Sequence, residues 1–232
     1  MKNKLKIYII HYSKLSERKE YINQILDKLN IDFEFIEKFD KETLKEIDLS
    51  KYYDDNEKNF NNKVKLWGER ANKYSRMSDS EISCTLKHIE ALRLINEGDH
   101  EYNLILEDDV IPQSKNLINE INKLIDDKNK WDVLLIGEGM GKGFRNDKIG
   151  TKRMIPFKKS FKVKHPATNC LEAYIVKKSV VQKILKGLLP VTMACDWEFA
   201  YQFYKENMNI YWSKKSIFIQ GSKDGTYKST IR

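Results

Sequence analysis

The chain has 232 residues, 41% of them hydrophobic, with 12 Tyr, 10 Phe and 4 Trp against only 4 Pro and 10 Gly. That composition describes an ordered globular chain and excludes collagen-like or long disordered architecture. The net charge of +8 is uneven: residues 142–186 carry 13 Lys/Arg against Asp147 and Glu172, a net +11 that leaves −3 for the remainder. A basic third of this kind suits an anionic partner, whether nucleic acid, phosphorylated saccharide or anionic membrane, or else solvates a loop and one helix face.

No run approaches the ~20 apolar residues of a membrane span. The apolar stretch after Lys2, Lys4 and Lys6 is too short for a signal-peptide core, so the chain is expected to stay in the cytoplasm. Cys84, Cys170 and Cys195, with His11, His88, His100 and His165, make no zinc-ligand spacing, and reduced structural thiols are expected.

Residues 5–12 form a β-rich run of the type buried in parallel sheets. Ser16 reads as an N-cap for a helix whose apolar face is Ile22, Ile25, Leu26 and Leu29 and which ends at Asn30. Residues 31–39 alternate as a second strand, and residues 41–76 are a polar insertion with short helices at most. Ser78 and Glu81 form a capping box opening a helix with the stripe Ile82, Leu86, Ile89, Leu92 and Ile95, stopped by Gly98.

A strand through Leu104 follows, then a helix over 114–127 and a strand over 131–137. Gly137, Gly139, Gly141 and Gly143 lack the order of a phosphate-cradling fingerprint and predict a lid or turn. Strand 171–176, helices 177–188 and 195–207, and short strands 210–212 and 217–219 complete the chain. Strands alternating with helices predict an α/β fold with one mostly parallel sheet covered on both faces.

The most informative stretch is Leu104-Ile105-Leu106-Glu107-Asp108-Asp109-Val110, an apolar strand ending in three carboxylates. Three adjacent negative charges need compensation by solvent, a cationic side chain or a metal. Carboxylate oxygens suit Mg²⁺ or Mn²⁺, and a metal there would hold a phosphate-bearing substrate. The alternatives are a solvated acidic turn closing the strand, a metal-dependent phosphoesterase using the same acids, or a nucleic-acid-binding module built on the basic segment.

At these residues the chain resembles glycosyltransferase family 25, the bacterial lipooligosaccharide galactosyl- and glucosyltransferases. Residues 8–18 resemble the family's Y-V-I-N-L-x-R-S-x-x-R opening, residues 81–89 its E-I-G-C-x-x-S-H segment, and residues 104–110 its L-I-L-E-D-D-V. Residues 173–176 resemble its A-Y-x-I strand, and Gln220 with Ser229-Thr230-Ile231 its closing Q…S-x-I. The chain departs from the pattern at His11 (Asn in the family), Lys14 (Arg), Lys41 (Gly), Ser83 (Gly) and Lys87 (Ser).

The resemblance implies one GT-A-like domain over residues 1–232. Residues 1–137 would be its nucleotide-sugar half and 138–232 its basic, acceptor-side half. It further implies a UDP-linked galactose or glucose donor, Mn²⁺ or Mg²⁺, inversion at the anomeric carbon, and an oligosaccharide or lipid-linked acceptor at the inner membrane face rather than nucleic acid. Asp109 would hold the metal, with Glu107 or Asp108 assisting or gripping the ribose. Asp196 is the first choice for general base and Glu198 the reserve; on a helix they point about 200° apart. Asp196 reads equally as an N-cap. Arg18 would contact nucleotide phosphate or form a surface ion pair, and Asp40 would bind base or ribose or begin a turn. His88 is a substrate contact or a core histidine, and Gln220 orients the diphosphate or completes the metal shell.

Overall fold

The computed structural model describes residues 5–70, 73–126, 130–139, 159–163 and 171–229. The chain opens with β1 (Leu5–Ile10), α1 (Ser16–Leu26) and β2 (Phe33–Ile36), and the insertion supplies α2 (Glu57–Val64) among 3₁₀ turns. Next come α3 (Asp79–Glu97), β3 (Tyr102–Glu107), β4 (Val110–Pro112), α4 (Leu117–Ile125), β5 (Val133–Leu135) and β6 (Ser160–Lys162). The final elements are β7 (Ala173–Lys177), α5 (Lys178–Leu185), α6 (Cys195–Lys205), β8 (Ile210–Ser213), β9 (Phe218–Gln220) and α7 (Gly221–Asp224).

One seven-stranded sheet runs β2-β1-β3-β7-β5-β8-β6, and β4 pairs with β9 in a separate ribbon. Strands β2, β1, β3, β5 and β8 share one direction, while β7 and β6 oppose it. The sheet is therefore mixed but mostly parallel, the predicted α/β class. An apolar run such as Ala173–Val176, buried on both faces, reads the same in either direction, so its pattern carries no orientation signal.

Side-chain alternation sorts the core into two layers. Ile7, Ile9, Leu104 and Leu106 pack with Ile22 and Leu26 of α1 and with Ile121 and Leu124 of α4. Tyr8, Ile10 and Ile105 face the other way, onto Leu86, Ile89 and Leu92 of α3, Ile184 of α5 and Phe199 of α6. Each fully buried aliphatic side chain of this kind contributes about 1.5–3 kcal/mol. A third cluster joins the insertion (Phe60, Val64, Trp67) to Met193 and Ala200, with Trp197 edge-on to Trp67.

The capping box forms as predicted: Ser78 Oγ accepts the Glu81 N–H, and the Glu81 carboxylate accepts the Ser78 N–H. The helix stops at Gly98. Ser16 is not an N-cap. The cap position is Leu15, without side-chain help, because a tight turn from the Tyr12 carbonyl to the Leu15 N–H starts the helix one residue earlier. Asn30 adopts the left-handed conformation that ends the first helical segment. Most of the basic segment, with Gly141, Gly143, Lys158, Lys164, His165, Cys170, Thr230 and Ile231, lies outside the described residues. Among those described, no helix is long and apolar enough to cross a membrane.

Candidate active site

Strands β1, β2 and β3 are parallel, so the loops leaving their carboxyl ends meet at one edge of the sheet, where α/β folds bind ligands. A cleft of about 620 Å³ opens there, lined by His11, Tyr12 and Arg18 after β1 and Lys41 after β2. Ser83, Cys84 and Lys87 of α3, the acids Glu107, Asp108 and Asp109, and Gln220 and Ser222 complete its wall.

The three acids have separate environments. Asp108 is held by its own protein: Arg18 Nη1 donates to Oδ1 (2.7 Å), His11 Nδ1 lies 2.8 Å from Oδ2, and the Tyr12 N–H donates to Oδ2 (3.2 Å). Burial pushes its pKa up, but hydrogen bonds from His11 and Arg18 outweigh that and keep it below the usual carboxylate value. Arg18 is itself buried, donates its second nitrogen to the Lys228 carbonyl (2.6 Å), and lies over the Tyr227 ring. It is not a surface ion pair.

Glu107 and Asp109 lack such compensation. Asp109 is 5% exposed, and its Oδ1 has no hydrogen-bond partner among the described residues. Burial raises its pKa, and the Asp108 charge adds to this against a hydrogen bond from Ser222. Glu107 is raised well above its ordinary value by burial and then by the charges of Asp109, Asp196, Glu172 and Asp108. Gln220 Nε2 donates to Glu107 Oε2 (3.1 Å). The close approach of α7 that brings Ser222 alongside depends on Gly221, whose N–H donates to the Asp109 carbonyl at 2.7 Å; a Cβ there would meet that oxygen at 2.9 Å.

The remaining predicted residues divide. Asp196 is the second residue of α6, not its N-cap, and accepts the Leu171 N–H at 3.3 Å. Its charge reaches both Glu107 and Glu172. Glu198 is buried away from the cleft and accepts hydrogen bonds from the Thr192 and Met193 N–H groups and from Lys63, tying the insertion to α6. Asp40 begins a turn by accepting the Thr43 N–H through its carbonyl, while its carboxylate receives Lys87 Nζ (2.5 Å) and the Ser13 hydroxyl. His88 is fully buried below the cleft, stacked on Tyr174, with Nε2 3.6 Å from Glu107 Oε1.

Two participants were not singled out as site residues from sequence. Lys87 is 2% exposed and also donates to the carbonyls of His11 (2.6 Å) and Glu37 (3.0 Å), pinning the ends of β1 and β2 to α3. The signal for it was a lysine inside an apolar helical stripe, since a buried ammonium must be paired. Glu172 is 3% exposed, accepts the Gly139 N–H at 2.5 Å, and its carbonyl accepts the Glu107 N–H. Burial raises its pKa to about 7. Gly137 is required beside it, because a Cβ there would overlap the Glu172 carboxylate.

The donor set of Glu107 and Asp109 fits a hard divalent cation: buried, oxygen-only, under-compensated, and one oxygen without a partner. Lys41 on the same cleft supplies positive charge for an anionic ligand, while Arg18 and Lys87, which also line it, are paired with Asp108 and Asp40.

Two solved structures resemble the chain at low identity. The crystal structure of A197 from STIV is 14% identical, with TM-score 0.44 over 92% of this chain and 82% of that one. S. aureus TarS 1–349 is 14% identical, with TM-score 0.48 over 95% of this chain and 61% of that one. No curated protein matches the chain. The family described as Glycosyltransferase family 25 (LPS biosynthesis protein) matches residues 4–198, from β1 through the three acids to the start of α6. The chain belongs to glycosyltransferase family 25.

Proposed function

We propose that this family 25 enzyme is a metal-dependent, inverting hexosyltransferase, moving galactose or glucose from a UDP-sugar to a saccharide acceptor in lipooligosaccharide or related glycan synthesis. The observation that carries the reading is the division among the three acids: Asp108 is neutralised by Arg18 and His11, whereas Glu107 and Asp109 face the cleft under-compensated. Asp109 and Glu107, with Gln220 beside them, are the residues to hold Mn²⁺ or Mg²⁺. When bound, the ion supplies charge neutralisation for a diphosphate leaving group.

The chain's own residues do the rest. Arg18 and Lys41 attract and orient the diphosphate from the side of β1 and β2. Asp196, half-buried at the positive end of α6, takes the proton of the acceptor hydroxyl. Glu198, engaged by backbone amides and Lys63, serves that helix structurally, so the base assignment rests on Asp196. Lysines of residues 142–186 provide reversible contact with an anionic inner-leaflet surface at ~1 kcal/mol for each close residue.

Thermal melting with UDP plus Mn²⁺, followed by a hydrolysis screen over nucleotide sugars, tests this reading. A rise in melting temperature that needs both components, and turnover of a UDP-hexose, are expected. No response to UDP, or a response to single-stranded RNA alone, overturns it.

A further inference from the structure

Beneath the catalytic cleft, on the α3 side of the sheet, four chemically different donors converge. Cys84 and His88 stand one turn apart on α3, Cys195 opens α6, and Glu107 ends β3. One donor atom from each lies within 4.8 Å of the other three. Both cysteines are free thiols.

The histidine points to a ligand. His88 is 0% exposed, its Nδ1 is occupied by Tyr174 Oη at 3.2 Å, and its Nε2 has no hydrogen-bond partner among the described residues. That nitrogen is aimed into the cluster, 3.6 Å from Glu107 Oε1. A hydroxyl fixing one ring nitrogen while the other is left open is the arrangement that orients metal-ligating histidines.

We propose that Cys84, His88, Cys195 and Glu107 form a four-coordinate site for a thiophilic divalent ion, for which zinc is the natural occupant. Zinc–sulfur, –nitrogen and –oxygen bonds of tetrahedral geometry place neighbouring donors about 3.3–3.8 Å apart. The His88–Glu107 separation already lies in that range, and no separation in the cluster exceeds 4.8 Å, so side-chain adjustment alone can bring the donors to it. Two thiolates and an imidazole select zinc over Mg²⁺ or Mn²⁺, which prefer oxygen donors.

This site is separate from the cation proposed for the cleft, and the two share only Glu107. Oε1 of that residue faces His88 while Oε2 accepts from Gln220 in the cleft, so one carboxylate has an oxygen on each side. Loading the site releases to solvent the two thiol protons and the proton carried by Glu107 when it is neutral, and fixes Glu107 as a carboxylate. Cys84 lines the cleft and supplies the entry route.

Cobalt titration tests the assignment, because tetrahedral Co²⁺–thiolate sites absorb in the near-ultraviolet and visible where Mg²⁺, Mn²⁺ and Zn²⁺ are silent. The full chain is metal-stripped, kept reduced, and titrated with Co²⁺ without nucleotide. One equivalent is expected to give a thiolate-to-cobalt charge-transfer band with tetrahedral d–d bands, and Zn²⁺ should bleach both. Cys84→Ser and Cys195→Ser should each remove about half of the charge-transfer intensity, whereas Cys170→Ser should leave it intact. Tyr174→Phe, which keeps the ring but frees Nδ1, should weaken cobalt binding roughly 10–100-fold. A parent chain without the charge-transfer band overturns the proposal, whatever the variants do. So does a band that survives both serine substitutions combined or disappears with Cys170→Ser. No step uses a sugar donor, so a failure here leaves the transferase reading standing, and a failure of that reading leaves this one.

Discussion

Replacing Glu172 with glutamine isolates one buried titration that the fold imposes. Burial raises this carboxyl from an ordinary 4.5 to about 7, against the Gly139 N–H and Lys223, which pull it down; the Asp196 charge pushes it further up. Between those values the folded chain keeps a proton that the unfolded chain releases, so unfolding is favoured as pH rises. The stabilisation is complete below about pH 4.5 and is lost as pH rises through about 7, amounting to roughly 3 kcal/mol in total. Glu172→Gln keeps an oxygen for the Gly139 N–H and removes the proton. Urea unfolding in EDTA, from about pH 5 to about pH 8, should show the parent losing up to roughly 3 kcal/mol more than the variant. Asp109 titrates in both chains and cancels to first order, whereas Glu107, which feels the Glu172 charge, adds a coupled contribution to the same difference. Parallel pH dependence in the two chains, within about 0.5 kcal/mol, would refute the reasoning.

Lys87→Met should cost roughly 3–5 kcal/mol by stranding the Asp40 carboxylate and two strand-end carbonyls. Adding Asp40→Asn should recover part of that loss in a double-mutant cycle, and strict additivity would rule out the pairing. Asp109→Asn should leave the melting curve in EDTA near that of the parent yet abolish transfer and the Mn²⁺-dependent shift; normal turnover without added cation would sink the metal assignment. Asp196→Ala should lower kcat by roughly two to four orders of magnitude with donor affinity nearly unchanged. Joint loss of stability and donor affinity would make Asp196 a structural residue.

How much of this was legible in the sequence depends on the distance over which each signal acts. The capping box at Ser78 and Glu81, the strand through Leu104 and the stop at Gly98 are decided by neighbours within a few residues, and they appear where the pattern predicts. The direction of β7 was not legible, since Ala173–Val176 is apolar on both faces and no local residue encodes orientation. That antiparallel strand, preceded by Glu172, and α6, which carries Cys195 and Asp196, bring these residues to Glu107 from many residues away. Sequence spacing cannot express such a convergence, which is why the cysteines read only as structural thiols.

The departures from the family pattern show their purpose only in three dimensions. His11 and Lys87 look like polar intrusions into apolar runs, yet each donates to a buried carboxylate after the strands, Asp108 and Asp40. Both acids are thereby neutralised by protein. Adjacent carboxylates such as Glu107, Asp108 and Asp109 repel one another, and a fold relieves this most cheaply by compensating the middle one. Arg18 and His11 do so for Asp108, leaving Glu107 and Asp109 on either side of a charge already satisfied. Burial first, and then the neighbouring charges, raise the pKa values of both, and these two acids lie near the carboxyl ends of three parallel strands, inside the cleft that also presents Lys41. On the proposed reading, a cation held there would complete the balance of charge in the fold and would also neutralise a diphosphate, so the demand of the folded chain and the demand of the chemistry would coincide on Glu107 and Asp109.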